Sequence, residues 1–333
     1  MNLILANTGS YPRIGDKPEE QILRKTIAAW ERGEKTDSDL RAAENEVTMQ
    51  VIYEQVAAGL DMVTDGQVRW YDPISHIAGK FEGVEINGLL RFFDTNFYFR
   101  QPVISGKIRR KESIVVDEFL FAKAVSPKPV KPVITGPYTL AKLSIVNSDH
   151  YRELSKLVED FAIGISEEIK ELSKARAEVI QVDEPAILRN PRDFDILKEA
   201  LLIMNEAKRA SKLALYSYFG DASSLYDMLQ ELPVDIIGLD FTYGRDLIQV
   251  ILDRGSEKAL GLGLIDGRNT KLENKEEVAK TIERLLPKIK VDISYLNPSC
   301  GLEFLPRDKA FEKLKNMTEI KKMLFQGEGN GTR

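Results

Sequence analysis

Val179-Ile180-Gln181-Val182-Asp183-Glu184-Pro185 is a short apolar run that ends on two acids and a proline. Its β-branched side chains suit a buried strand, and Pro185 forces the chain out of it. Just upstream, residues 155–175 set Leu157, Val158, Phe161, Ile163, Ile165 and Ile169 among acids and lysines, the pattern of an amphipathic helix. The same pairing recurs along the chain. Further strand-like runs fall at residues 3–7, 61–65, 131–135, 213–218, 235–240, 260–265 and 293–297, and 275–286 reads as another helix. Eight strands with intervening helices predict an α/β chain, a (β/α)8 TIM barrel occupying residues 1–326 as a single domain. Residues 327–333 are too glycine-rich to pack and are expected to form a flexible tail.

One interval breaks the rhythm. Between the second and third strands lies an insertion at about residues 68–130. It holds Asn87-Gly88, a hairpin signal between alternating residues, and the aromatic stretch Phe92-Phe93-Asp94-Thr95-Asn96-Phe97-Tyr98-Phe99. The insertion is expected to be β-rich and to pack over the barrel rim.

With 333 residues, 43% of them hydrophobic, the chain can bury a substantial core. A net charge of -5, with acids and bases matched along most helices, gives no nucleic-acid signal. The single cysteine, Cys300, excludes a disulfide framework and suits a reducing, cytoplasmic setting. No apolar stretch is long enough to span a membrane, and the opening MNLILANTGSYPR has no basic region ahead of its apolar run, so no signal peptide is expected. Neither a Gly-x-Gly-x-x-Gly turn after a strand nor a P-loop occurs. His76 and His150 stand apart in the sequence and read as surface or structural histidines, which leaves no basis for a Ser-His-Asp triad.

In such a barrel the residues closing the strands crowd the C-terminal rim. That rim would receive Thr8-Gly9-Ser10, Asp65-Gly66-Gln67, Thr135-Gly136-Pro137, Asp183-Glu184-Pro185, Ser217-Tyr218, Asp240, Asp266-Gly267-Arg268-Asn269 and Asn297 to Cys300. Acids at strand ends also cap helices, so for each one alone capping and ligand contact are equally open. Their accumulation favours a site. Asp183 and Glu184 are adjacent, and the strand pleat turns only one of them to the pocket.

Several of these motifs together resemble cobalamin-independent methionine synthase, nearly from end to end. That family's long enzymes have two related barrels: a C-terminal one holding catalytic zinc and homocysteine, and an N-terminal one facing it and helping to hold polyglutamylated methyl-folate. Gly9-Ser10-Tyr11-Pro12-Arg13-Ile14-Gly15, Phe93-Asp94-Thr95-Asn96, Ser217-Tyr218-Phe219-Gly220, Gly263-Leu264-Ile265-Asp266-Gly267-Arg268-Asn269 and Pro298-Ser299-Cys300 look like the N-terminal barrel. Thr135-Gly136-Pro137 and Gln181-Val182-Asp183-Glu184-Pro185 resemble both.

The resemblance implies a 5-methyltetrahydropteroyltriglutamate–homocysteine S-methyltransferase-related chain with part of its chemistry missing. The zinc barrel's His-x-Cys ligands fall on Leu213 and Leu215, its glutamate on Asp240, and only its distal cysteine is kept, as Cys300. A half-filled tetrahedral site implies that this chain binds no zinc. The family's homocysteine contacts match Ser10, Gln67 and Asp183, with glutamine where the ammonium would meet a glutamate. Arg13, Tyr218, Asp240, Asp266, Arg268 and Asn269 complete the expected substrate-binding set. The family's basic folate-gripping stretch is replaced by Pro18-Glu19-Glu20-Gln21, with Arg13, Lys17, Arg24 and Lys25 nearby, so methyl-folate and methyl-corrinoid both stay open as donors. Trp70, Tyr71, Phe93 and Phe97 offer stacking surface for a flat ring, or core packing within the insertion.

The expected function is methyl transfer to homocysteine, as the zinc-free component of a two-protein enzyme whose separately encoded zinc-type barrel supplies the metal. The alternative is a non-catalytic scaffold partner of such a barrel. A uroporphyrinogen-decarboxylase-like activity is disfavoured by Pro12-Arg13-Ile14-Gly15 and by Ile265-Asp266-Gly267-Arg268-Asn269.

Overall fold

The computed structural model describes residues 2–244 and 246–325. The tail expected at 327–333 lies outside the described residues. The strands are β1 (Asn2–Leu5), β2 (Phe81–Arg91), β3 (Tyr98–Arg110), β4 (Val133–Thr135), β5 (Ile145–Val146), β6 (Val179–Asp183), β7 (Lys212–Ser217), β8 (Ile236–Asp240), β9 (Ala259–Ile265) and β10 (Ile293–Pro298). The helices are α1 (Ile22–Glu31), α2 (Asp37–Ala57), α3 (Ser75–Ala78), α4 (Val116–Val125), α5 (Pro137–Leu143), α6 (Leu154–Lys174), α7 (Phe194–Ala207), α8 (Tyr226–Gln230), α9 (Leu247–Arg254), α10 (Lys275–Leu285) and α11 (Arg307–Phe325). Two compact units divide the chain.

The first unit comprises Met1–Arg69, Phe121–Val130 and Ile248–Arg333. Here β1 pairs parallel with β10, Leu3 opposite Ser294, and β10 pairs parallel with β9. Parallel neighbours need long crossovers, which the helices supply. The expected second strand is reduced to two isolated bridges, Ala6–Met62 and Val63–Val130. It shortens because Gly59, at φ +95, and Gly66, at φ +71, bracket the run within a few residues. Helix α2 starts on a capping box between Thr36 and Asp39, and the Asn274 side chain caps α10.

The second unit comprises Trp70–Leu120 and Lys131–Leu247. Its parallel strands run β4-β6-β7-β8. Helix α6 buries Leu157, Val158, Phe161, Ile165, Ile169 and Leu172, the stripe read from the sequence. A separate antiparallel hairpin, β2–β3, carries the short β5 along its edge. Its base seats on α6, where a Cβ on Gly164 would lie 2.4 Å from the Phe81 ring.

The β-rich insertion is therefore present, but its turn is not at Asn87-Gly88. Strand β2 runs straight through that dipeptide, which instead produces a register shift between Asn87 and Leu89. Gly88 at φ +27 absorbs the extra residue as a bulge. The chain reverses at residues 92–97, where Phe92 N–H donates to the Phe97 carbonyl and Thr95 Oγ1 to the Phe92 carbonyl.

Candidate functional site

In the second unit, polar side chains converge on the face of β6 that carries Gln181 and Asp183. Lys131, immediately before β4, is 2% exposed, and Gln181 is fully buried. The Lys131 ammonium donates to Gln181 Oε1 and sits 4.7 Å above the centre of the Tyr216 ring. Gln181 Nε2 donates to Asp183 Oδ1 at 2.6 Å, and the Tyr218 hydroxyl donates to Asp183 Oδ2 at 3.0 Å. Burial raises the Asp183 pKa, while the hydrogen bonds from Gln181 and Tyr218 and the charge of Lys131 pull it back. For Lys131 the direction reverses: burial lowers its pKa, and Asp183 opposes that.

Glu184 points the other way, as the pleat requires. Its Oε1 accepts from Tyr138 N–H at 2.9 Å, and its Oε2 from Thr139 N–H at 2.7 Å and Thr139 Oγ1 at 2.6 Å. It thereby satisfies the free amides that open α5. The Thr135-Gly136-Pro137 motif explains itself here: a Cβ on Gly136 would lie 2.2 Å from Glu184 Oε1, and Pro137 starts the helix. Burial pushes Glu184 up to about 7, against its hydrogen bonds with Thr139 and Tyr138.

Asp240 closes β8 and ties two loops together. Its Oδ2 accepts from Phe219 N–H at 3.2 Å, and its Oδ1 from Thr242 N–H at 2.8 Å and Thr242 Oγ1 at 2.5 Å. Leu213 and Leu215 are fully buried in β7, in register with Ile180 and Val182, the β6 residues that flank Gln181 and so lie on its opposite face. The two positions offer no ligand and face away from Asp183. The side chains of this unit therefore do not fit a zinc site of the His-x-Cys type.

The insertion's aromatics divide. Trp70 is buried, its indole N–H donating to Glu118 at 2.8 Å and its ring stacked on His76 at 4.9 Å. His76 Nε2 also meets Glu118, at 3.0 Å, so this histidine is part of a structural network and does not stand alone. Phe93 packs against Phe92 and Phe219, the core role allowed for it, and Phe97 is half-buried. Tyr71 is exposed beneath the Arg100 guanidinium.

The first unit holds the remaining expected residues. Ser10 is buried, and its Oγ has no hydrogen-bond partner among the described residues. That oxygen lies over Gly301, where a Cβ would come within 2.1 Å of it. Arg13 donates to the Val68 carbonyl at 3.1 Å. Gln67 is held in the left-handed region at φ +54, its backbone N–H donating to Asp65 Oδ1. In a non-glycine residue that conformation costs on the order of 1 kcal/mol and marks a constrained turn.

Asp266 Oδ1 accepts from Arg268 N–H, and the exposed Asn269 accepts from Lys271 N–H, so both shape their loop. Glu273 anchors that loop by accepting from Asp266 N–H at 2.9 Å and pairing with the buried Lys313 at 2.6 Å. Cys300 is fully buried, its thiol donating to the Gly301 carbonyl and packing so close to Gly267 that a Cβ there would lie 2.9 Å from Sγ. Lys17 is paired with Glu20 at 3.1 Å.

The sequence model described as "Cobalamin-independent synthase, Catalytic domain" matches residues 5–323. The methionine synthase of Saccharolobus solfataricus is 36% identical over 315 residues, covering 93% of each chain. The chain belongs to the cobalamin-independent methionine synthase family. A second methionine synthase of this family, from Sulfurisphaera tokodaii, is 35% identical over 93% of this chain and 91% of its own. Among solved structures, a B12-independent methionine synthase from a Shewanella species, in complex with selenomethionine, superposes with a TM-score of 0.78 at 22% identity, covering 98% of this chain and 99% of its own. One from Listeria monocytogenes gives 0.75 at 18% identity, covering 97% and 99%. These likenesses show the fold, the α/β barrel architecture read from the sequence. The matching family description is that of the catalytic domain, so likeness to the N-terminal barrel rests on the motifs alone.

Sequence reasoning missed Lys131 and Gln181 as partners of Asp183, and for Glu184 it held capping and ligand contact equally open, of which the structure shows the capping of α5. A signal was present: Lys131 opens an otherwise apolar strand, and Gln181 and Asp183 stand two apart in one that is otherwise β-branched. Two polar residues on the same face of a buried strand need partners on that face.

Proposed function

We propose that the chain binds an amino-acid substrate at Asp183 and takes part in methyl transfer to homocysteine, as a component that contributes no zinc of its own. The observation that supports the binding reading is the Asp183 carboxylate, buried yet held by Gln181 and Tyr218 with both oxygens accepting. A buried anion presented this way suits the α-ammonium of an amino acid. A family neighbour is described in complex with selenomethionine, an amino acid with that head group. Tyr218 and Asp240 are the further substrate-contact candidates within the unit of Asp183, and Ser10, Arg13, Gln67, Asp266, Arg268 and Asn269 are those of the first unit, taken by itself. Asp240, Asp266 and Asn269 also hold loops, so their substitution would act partly through loop geometry.

The zinc reading rests on Leu213 and Leu215 and on the committed contacts of Asp240 and Cys300. A separately encoded barrel of the same family with intact His-x-Cys ligands would supply the zinc, and the methyl donor would be a methyl-folate or a methyl-corrinoid. The pairing of Lys17 with Glu20 weakens one substitute for the basic folate-gripping stretch.

Titration calorimetry with methionine, on wild type and Asp183→Asn, tests the binding reading. The expected result is at least a tenfold loss of affinity in the variant; equal affinity overturns it. Metal analysis of untagged protein is expected to find zinc far below one atom per chain. A stoichiometric zinc lost on Cys300→Ser overturns the zinc-free reading. The scaffold alternative predicts that Asp183→Asn and Arg268→Ala leave a mixed enzyme's turnover unchanged.

A further inference from the structure

We propose that Lys131 is a positioning residue that keeps Asp183 in its carboxylate form, ready for a cationic ligand group, by acting through Gln181. The inference deepens the binding reading above and rests on it for the identity of the ligand.

A charged lysine has three N–H donors and no acceptor, so it can meet Gln181 only at the amide oxygen. That contact fixes the amide orientation and leaves Nε2 to face Asp183 as a donor. The Tyr218 hydroxyl donates to the other carboxylate oxygen. Both oxygens of Asp183 are therefore acceptors, an arrangement that favours the ionised carboxylate, because hydrogen bonds donated to the charged form stabilise it. The direction of every bond in the chain starts at the ammonium.

Two further features favour a charged lysine in a place where burial alone would neutralise it. The ammonium lies over the face of Tyr216, which attracts a cation. The ring reaches that position because β8 has Gly238 beneath it, where a Cβ would lie 2.3 Å from Tyr216. The groups set against Asp183 are Lys131, two residues ahead of β4, Gln181 beside it on β6, Tyr218 after β7 and, on the reverse face of β6, Glu184. Burial drives Lys131 and Asp183 towards neutrality, and the pair's mutual attraction opposes that drive. Removing the lysine takes away that attraction and frees the Gln181 amide to turn, so burial is opposed less, and Asp183 takes up a proton more readily and offers less charge to an ammonium.

The test follows the Asp183 carboxyl carbon by NMR in aspartate-labelled full-length protein between pH 5 and 9, assigned with Asp183→Asn. Wild type is compared with Lys131→Met, Lys131→Arg and Gln181→Leu. The expected result is an Asp183 midpoint at least one pH unit higher in Lys131→Met and a return towards wild type in Lys131→Arg. Methionine affinity in Lys131→Met should fall at least tenfold at pH 6.5 and recover as the pH approaches 9. A merely structural lysine would give a pH-independent loss. An Asp183 midpoint unchanged in Lys131→Met overturns the proposal. Should that variant fail to fold, an unchanged midpoint in Gln181→Leu does the same. If Asp183→Asn binds methionine as wild type does, the ligand reading fails, while the NMR midpoints still decide the role of Lys131.

Discussion

Asp183 and Glu184 are neighbours in sequence, and the pleat gives them separate work. Asp183 faces the Lys131–Gln181 chain, while Glu184 caps α5. That division was legible from the motif, because adjacent strand residues point to opposite faces. What Glu184 caps was not legible, since its partners lie 45 and 46 positions away. Its burial has a measurable consequence. Glu184 is pushed up to about 7 from an ordinary 4.5, so the folded chain holds this proton more tightly than the unfolded chain. Its contribution to stability is complete below about pH 4.5 and is lost as the pH rises through 7, on the order of 3 kcal/mol across that window. Urea unfolding of wild type and Glu184→Gln at a series of pH values checks this. The decline should be shallower in the variant, and equal pH slopes would contradict the assignment.

At the scale of elements, strands and amphipathic helices were read well because their signals are local. Strand β6 has the bounds read from the sequence, and α6 spans Leu154–Lys174 against an expected 155–175. The hairpin turn was misplaced for a physical reason. Asn-Gly permits a positive φ, which serves a bulge as readily as a tight turn. The actual reversal places Phe93, a residue with no intrinsic preference for it, at φ +51. Long-range contacts stabilise that turn: Asp94 accepts from Arg189 at 3.3 Å and from Tyr243 at 2.6 Å. These groups are largely exposed, so Asp94→Ala should change global stability by less than about 1 kcal/mol. Hydrogen exchange at the amides of Phe92, Thr95 and Phe97 should nevertheless accelerate. Unchanged exchange there would mean that the turn holds itself without Asp94.

At the scale of the whole chain, family membership extends across residues 5–323. The positions to which the sequence resemblance assigns His-x-Cys are the leucines Leu213 and Leu215, packed on the face of the sheet opposite Asp183. Cys300, the one cysteine, is buried in a turn against Gly267. Burial in that turn accounts for the thiol without a metal, since cysteine behaves there as a small apolar group. No helix among the described residues is long and apolar enough to cross a membrane. This chain buries a polar constellation around Asp183, which is costly to bury without purpose.

On the function proposed above, this chain contributes substrate binding to a methyl transfer whose zinc comes from elsewhere. The most direct test is methionine formation from homocysteine, with methyl-folate or methyl-corrinoid as donor, measured for the chain alone, for a zinc-type barrel of the same family alone, and for the two mixed. The account predicts turnover by the mixture well above the sum of the separate rates, lost when the chain carries Asp183→Asn. Full turnover by this chain alone, or a mixture no faster than its zinc-bearing member, would contradict it.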